Sequence, residues 1–179
     1  MPDLVEKIVA VHAALQSADL PHAFGGALAL AWCTARARGT IDIDVNIFVP
    51  VTGFQQILDA MPKGVRVRKQ DVTILKRDGQ VRIWWDETPL DLFLNTTDFH
   101  DEAARRIRWE KFGGTTIPFL SCVDLAVFKV FFNRTKDWAD LEAMLSIDSL
   151  DVSQVRTIIT RYMGGDDERV VRLDTLVKG

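Results

Sequence analysis

Residues 38–49 read RGTIDIDVNIFV, and this stretch decides the fold. From Thr40 to Val49, apolar side chains alternate with polar ones, which is typical of a β-strand with one buried face. Asp42 and Asp44 then project together from the polar face. Two acids on so hydrophobic a strand repel each other and lose hydration unless a cation compensates them. We expect a divalent metal ion such as Mg²⁺, which prefers carboxylate oxygens.

A third acid, Asp91, lies in a later strand pattern over Leu90–Leu94, in which the leucines face the core. Asp91 either completes a triad with Asp42 and Asp44 or starts its strand at a solvated edge, and periodicity does not decide between the two. The Asp-x-Asp pair alone also occurs on ordinary exposed strands. The sequence therefore offers a candidate metal site together with a purely structural alternative.

The flanking sequence predicts an α/β arrangement. A short apolar piece, Gly25-Gly26 and the Ala/Leu-rich run Ala27–Ala37 predict a strand, a tight turn and a buried helix. Val72–Leu75 and Val81–Trp85 flank an Asp-Gly pair, which predicts a β-hairpin. The second half of the chain is mainly helical by its periodicity.

Composition narrows the class of protein. The chain has 179 residues, of which 47% are hydrophobic and 26% charged, and a formal net charge of −3. These values exclude a disordered or fibrous chain and give no overall attraction to nucleic acid. We expect a single domain over residues 1–179, with a catalytic α/β core over about 1–95 and a mainly helical part over about 96–179.

The cysteines and the lengths of the apolar runs indicate the cellular compartment in which the protein is expected. Cys33 and Cys122 are far apart in apolar sequence, which argues against a disulfide framework and a zinc knuckle. No apolar run approaches the roughly 20 residues of a membrane helix, and no targeting segment is visible. We expect a cytoplasmic protein that does not associate with membranes.

Several motifs together resemble a known family. Gly25-Gly26, the run Arg38–Asp44 and Asp91 are similar to the signature of the polymerase-beta-type nucleotidyltransferase superfamily. The order Arg-x-Thr-x-Asp-Ile-Asp resembles especially the AbiEii-like nucleotidyltransferases, toxins of type IV toxin–antitoxin systems. The helical stretch Asp124–Leu141 also resembles that branch. The resemblance implies an α/β (α+β) nucleotidyltransferase fold, with a short mixed β-sheet flanked by helices and a helical C-terminal portion.

The resemblance also implies roles for individual residues. Asp42 and Asp44 would hold Mg²⁺ or Mn²⁺ against the phosphates of an NTP, and Asp91 would bind a second metal ion or deprotonate the attacking hydroxyl. Backbone amides after the double glycine would approach the triphosphate. The residues implied for nucleotide binding are Gly25, Gly26, Arg38, Thr40, Lys129 and Asp137.

Structural alternatives stay open for three of these residues. Arg38 equally fits a pairing with the negative end of its helix dipole. Lys129 lies in a strongly apolar helix, so its ammonium should meet either a phosphate or a neighbouring acid, or else reach the surface. Asp137 fits a helix cap as well as a nucleotide contact.

The implied activity is metal-dependent transfer of a nucleoside monophosphate from NTP to an acceptor hydroxyl. A toxin-like role implies tRNA as a possible acceptor and a cognate antitoxin as a partner. Two alternatives remain: a small-molecule, antibiotic-type nucleotidyltransferase, and a non-catalytic nucleotide-binding or toxin–antitoxin interaction module. Two basic clusters, Arg66–Lys69 and Arg105–Lys111, fit solvated faces better than an RNA surface.

Overall fold

The computed structural model describes residues 1–37 and 39–178. It divides into two compact units, the first formed by Met1–Leu28 and Arg38–Leu120, the second by Ala29–Ala37 and Ser121–Gly179. The prediction of a single domain over 1–179 stays a prediction. Within the described part of the chain, no helix is long and apolar enough to span a membrane.

The first unit contains a mixed seven-stranded sheet with the order β3-β4-β5-β2-β1-β7-β6. β2 is parallel to β5, β1 is parallel to β7, and the other neighbours are antiparallel. The strands are β1 (His22–Phe24), β2 (Ile43–Pro50), β3 (Val65–Arg66), β4 (Gln80–Trp85), β5 (Thr88–Asn95), β6 (Arg108–Phe112) and β7 (Thr115–Phe119).

The helices of the first unit are α1 (Leu4–Ser17), the beginning of α2 (Gly26–Thr34), α3 (Phe54–Ala60), α4 (Lys69–Asp78) and α5 (Phe99–Ala104). The second unit contains the rest of α2 with α6 (Cys122–Phe132), α7 (Thr135–Ser146), α8 (Val152–Met163) and α9 (Glu168–Lys178). A mixed sheet flanked by helices and a helical C-terminal portion confirm the predicted fold class.

The alternation of β2 places its side chains on two faces. Ile43, Val45 and Ile47 are fully buried, and Asp44 between them lies on the opposite face. The strand begins at Ile43, not at the predicted Thr40, and the preceding Ile41 is 71% exposed. Asp42 therefore belongs to the loop that leads into β2, because the ladder between β2 and β5 begins at the pair of Ile43 and Leu90.

The predicted hairpin around Asp78-Gly79 is wrong. Residues 72–75 belong to α4, which ends at Gly79 with the left-handed φ of 68° typical of a helix C-terminus. The helix begins where the carboxylate of Asp71 accepts a hydrogen bond from the backbone N–H of Arg68. The β-branched pair Val72-Thr73 favours a strand locally, but capping and the burial of Leu75 stabilise the helix.

The expectation about the cysteines is also wrong. Cys33, near the end of α2, and Cys122, the first residue of α6, form a disulfide with their Cα atoms 5.6 Å apart. Both lie in the second unit. Their separation of 89 residues in sequence gave no signal, because tertiary packing and not chain distance brings the two helix ends together.

Candidate active site

Two of the predicted acids lie side by side. Asp44 on β2 and Asp91 on β5 are paired in the parallel register of these neighbouring strands. Their flanking residues Val45 and Leu90 are buried, so both acids lie on the opposite, polar face. β5 lies between β4 and β2, so Asp91 is not at an edge of the sheet. The structure thus brings Asp91 to Asp44, as the triad interpretation requires.

A cation that the sequence analysis did not include lies among these acids. Arg82 on β4 pairs with Asp91 across the antiparallel ladder. Its Nε and Nη2 donate to the two oxygens of Asp91 at 2.8 and 2.6 Å, and Nη2 also donates to Asp42 Oδ2 at 3.2 Å. The bonds to Asp91 outweigh partial burial and, with the charges of Asp42 and Asp44, raise the pKa of the Arg82 guanidinium.

Arg82 was missed because its role depends on a long-range pairing. In the sequence it is one polar residue of the alternating strand Val81–Trp85. The available signal was that strand's pairing with Leu90–Leu94, which sets Arg82 opposite Asp91.

The carboxylate oxygens of the three acids are suitable ligands for a divalent cation. Oxygens of Asp42 and Asp91 already converge on one cationic nitrogen, Arg82 Nη2, and each carboxylate oxygen carries a second lone pair. Asp44 is held next to Asp91 by the strand register. Among residues 1–37 and 39–178, however, no group of three acidic, histidine or cysteine side chains stands ready to hold a metal ion. Arg82 is thus the cation that a metal ion would have to displace or join.

Thr40 organises the loop that carries Asp42. The backbone N–H of Asp42 donates to Thr40 Oγ1 at 3.1 Å, and that hydroxyl donates to the Asp42 carbonyl at 3.2 Å. This local turn fixes the backbone of Asp42 just before β2 begins. Arg38, the other residue predicted to shape this pocket, lies outside the described residues.

The double glycine lies against Asp44. The backbone N–H of Gly25 donates to the Asp44 carbonyl at 2.9 Å, and Gly26 begins α2 with a φ of 53°. A Cβ on Gly26 would collide with the Asp44 carboxylate, and a Cβ on Gly25 would lie 3.2 Å from Asn46 Nδ2. Glycine is therefore required at position 26 for both conformation and space. It brings the first backbone amides of α2 next to the acids.

Lys129 and Asp137 form a buried charge network in the second unit. Lys129 Nζ lies 2.7 Å from Asp140 Oδ2 and 3.5 Å from Asp137 Oδ1. Asp137 also caps α7, accepting hydrogen bonds from the backbone and guanidinium of Arg134. Burial opposes the ionisation of Asp137, but the bonds to Arg134 and the charge of Lys129 outweigh it and lower the pKa of this carboxyl. The neighbouring acid expected for Lys129 is present, and its contact with a nucleotide stays a prediction.

No protein-family model matches the chain, and no curated protein matches it. Solved structures do match. The antibiotic-resistance factor ANT(2'')-Ia in solution is similar with a TM-score of 0.63 at 19% identity, over 88% of this chain and 92% of that one. The lincomycin-bound lincosamide antibiotic adenylyltransferase LnuA is similar with a TM-score of 0.53 at 12% identity, over 79% of this chain and 96% of that one. An antigenic nucleotidyltransferase-like protein from Paracoccidioides brasiliensis is similar with a TM-score of 0.51 at 14% identity, over 96% of this chain and 91% of that one.

The chain has the nucleotidyltransferase fold. The predicted nucleotidyltransferase fold is thus confirmed at the level of architecture, which is what identities below 20% establish. Activity, metal and acceptor have to be argued from the candidate site itself.

Gly26→Ala tests the fit between the double glycine and Asp44. We expect the free energy of unfolding in urea to fall by about 2 kcal/mol, because the left-handed backbone is strained and the Asp44 carboxylate must move. Gly39→Ala is the matched control, since a Cβ there meets nothing within 4 Å, and it should change stability by less than about 0.5 kcal/mol. Equal effects of the two variants would contradict the close approach.

Lys129→Met tests whether Lys129 serves the fold. Asp140 would lose its buried ammonium partner, so we expect the free energy of unfolding to fall by about 3 kcal/mol. Adding Asp140→Asn should recover part of this loss, because it removes the buried negative charge. Unchanged stability of Lys129→Met together with weaker NTP binding in calorimetry would instead assign Lys129 to the nucleotide.

Proposed function

We propose that the protein is a metal-dependent nucleotidyltransferase that moves a nucleoside monophosphate from an NTP to an acceptor hydroxyl. The observation that carries the proposal is that Asp44 and Asp91 are paired on neighbouring strands and that Arg82 bridges Asp91 to Asp42 in the loop before β2, beside a glycine turn that begins a helix. An ordinary exposed strand has no need of acids on adjacent strands, since their mutual repulsion opposes folding.

Asp42, Asp44 and Asp91 are the residues that would hold Mg²⁺ or Mn²⁺. Bound there, the metal would neutralise charge on the phosphates and on the attacking oxygen. Arg82 keeps the acids together before the nucleotide arrives, because its guanidinium bridges Asp42 and Asp91. With metal and nucleotide bound, the positive charge of Arg82 remains close enough to offset charge on the reacting groups.

Asp91 is also the proposed proton acceptor. The acceptor oxygen forms a bond to the α-phosphorus while the bond from that phosphorus to the pyrophosphate oxygen breaks, and the hydroxyl proton passes to a carboxylate oxygen of Asp91. The residues act mainly by holding these groups in line.

The Gly25-Gly26 turn is the proposed triphosphate site. The first amides of α2 have no partners within the helix, and together with the helix dipole they favour an anion. Thr40 supports the pocket by ordering the Asp42 loop. We retain Arg38, Lys129 and Asp137 as proposed nucleotide-binding residues, all three on the resemblance alone.

For the acceptor we propose the end of an RNA such as a tRNA, in a toxin-like protein with a cognate antitoxin. The resemblance of Arg38–Asp44 to AbiEii-like proteins supports this role. We propose the cytoplasm as its location because NTP is supplied there, although cytoplasmic conditions normally keep thiols such as Cys33 and Cys122 reduced.

A small-molecule acceptor is the second candidate. Similar structures include ANT(2'')-Ia in complex with adenylyl-2''-tobramycin, at a TM-score of 0.61 and 17% identity over 88% of this chain and 98% of that one. A non-catalytic binding module is a third. The arrangement of three acids argues against the module, because Arg82 brings one positive charge against three negative ones, and a site without metal gains nothing from the remaining repulsion.

Asp44→Asn and Asp91→Asn test the proposed chemistry. Each NTP, labelled at the α-phosphate, is incubated with total RNA and Mg²⁺, and label in RNA is measured. We expect each variant to lose at least about a hundredfold in transfer, because stabilisation by the metal is worth several kcal/mol and 1.36 kcal/mol is tenfold.

Asp59→Asn is the matched control for these variants, since Asp59 is an exposed acid on α3 outside the site. It should keep wild-type transfer. Retained labelling by Asp44→Asn would contradict the mechanism, and calorimetric NTP binding without transfer to any acceptor would favour the binding module.

A further inference from the structure

The polar face that carries the acids continues over the neighbouring strands. Arg82 on β4 lies opposite Asp91, and two residues along β4 Trp84 lies opposite Pro89. Trp84 is in turn paired with Arg66 on β3, at the edge of the sheet. Residues directly opposite each other in a ladder share a face, so Arg82, Trp84 and Arg66 line the same side as Asp91.

The side chains of Trp84 and Arg66 reach solvent. Trp84 is 36% exposed, whereas Trp85 on the other face is 7% exposed. Arg66 is exposed, and its Nη2 donates a hydrogen bond to the carbonyl of Asp86 at 3.0 Å. This bond holds the guanidinium at the turn between β4 and β5, and a guanidinium carries five N–H donors in all. We name the surface of Arg66 and Trp84 the edge strip.

The proposed reaction places the acceptor over this strip. Gly25-Gly26 follows β1, and the sheet order has β1 on one side of β2 and β5, β4 and β3 on the other. With the triphosphate at the glycine turn, in-line displacement requires the attacking hydroxyl to come from the side opposite the leaving pyrophosphate. The acceptor therefore approaches over β5 and β4.

We propose that the edge strip is the acceptor subsite, that Trp84 and Arg66 determine its specificity, and that it takes the terminal nucleotide of a single-stranded nucleic acid. The assignment rests on the proposed function for its orientation. Trp84 offers the flat apolar surface on which a base stacks. Arg66 offers a guanidinium that suits a phosphate of the same chain.

Charge argues against a polycationic acceptor at this place. Arg66 is positive, and Asp86, whose carbonyl accepts a hydrogen bond from Arg66, has its carboxylate paired with Lys7 at 3.3 Å. Glu87 is the other acid of that turn. At the edge strip an aminoglycoside would meet the Arg66 guanidinium, whereas a nucleotide finds its phosphate attracted and its base stacked.

The test is binding of a fluorescein-labelled, short single-stranded RNA with a free 3′ hydroxyl, followed by anisotropy in Mg²⁺. Trp84→Ala should raise the Kd about tenfold, because stacking of one base on an aromatic side chain is worth about five- to a hundredfold in affinity. Trp84→Phe should restore most of the affinity. Arg66→Gln should weaken binding and reduce the slope of log K against log salt by about 1.

Two variants serve as matched controls. Trp109→Ala removes an exposed strand tryptophan on β6, and Arg105→Gln removes an exposed arginine after α5. Both should bind the RNA as the wild type does. Wild-type affinity in Trp84→Ala and Arg66→Gln, or equal losses in the two controls, would overturn the proposed subsite.

Transfer from α-labelled NTP, measured on the same variants, separates this inference from the proposed function. RNA binding that depends on Trp84, with no transfer to any acceptor, would contradict the proposed enzymatic function and support the subsite. RNA labelling with an unchanged acceptor KM in Trp84→Ala and Arg66→Gln would support the enzymatic function and contradict the subsite. Efficient labelling of tobramycin that ignores both substitutions would also overturn it.

Discussion

Repulsion among three carboxylates, and its relief by a cation, is the constraint on which the candidate site depends. Asp44 and Asp91 are set side by side by the parallel pairing of β2 and β5, and Asp42 precedes β2 directly. Such an arrangement is unfavourable unless positive charge is close. Arg82 supplies it, with Nη2 at 2.6 Å from Asp91 and 3.2 Å from Asp42. The protein thus carries its own counter-ion at the proposed metal site.

The second constraint is space around Asp44. Gly26 has no side chain, so its backbone reaches the Asp44 carboxylate at the start of α2. Nucleotide phosphates at this turn would then lie between helix amides and carboxylate-bound cations. The strand that supplies the acids and the turn that would receive the phosphates are held together by the bond from the Gly25 N–H to the Asp44 carbonyl.

The alternating pattern of residues 40–49 was enough to predict a strand with Asp44 on its polar face, because burial of Ile43, Val45 and Ile47 sets the period, but it did not show that Asp42 lies in the loop before the strand. The alternating leucines around Asp91 likewise predicted a strand with Asp91 on its other face, as β5 shows. α4 was mistaken for a strand since the local propensity of Val72-Thr73 opposes the capping by Asp71. Arg82, the edge strip and the disulfide depend on contacts between distant segments. Local patterns do not contain that information, and only strand register and helix packing supply it.

Anomalous diffraction from crystals grown with Mn²⁺ and a non-hydrolysable NTP tests the central claim most directly. The account predicts an anomalous peak within coordination distance of Asp42 and Asp44, with triphosphate density at Gly25-Gly26 and Arg82 Nη2 moved away from Asp42. A structure with bound nucleotide but no peak at these acids, and with Arg82 still bridging Asp42 and Asp91, would contradict it.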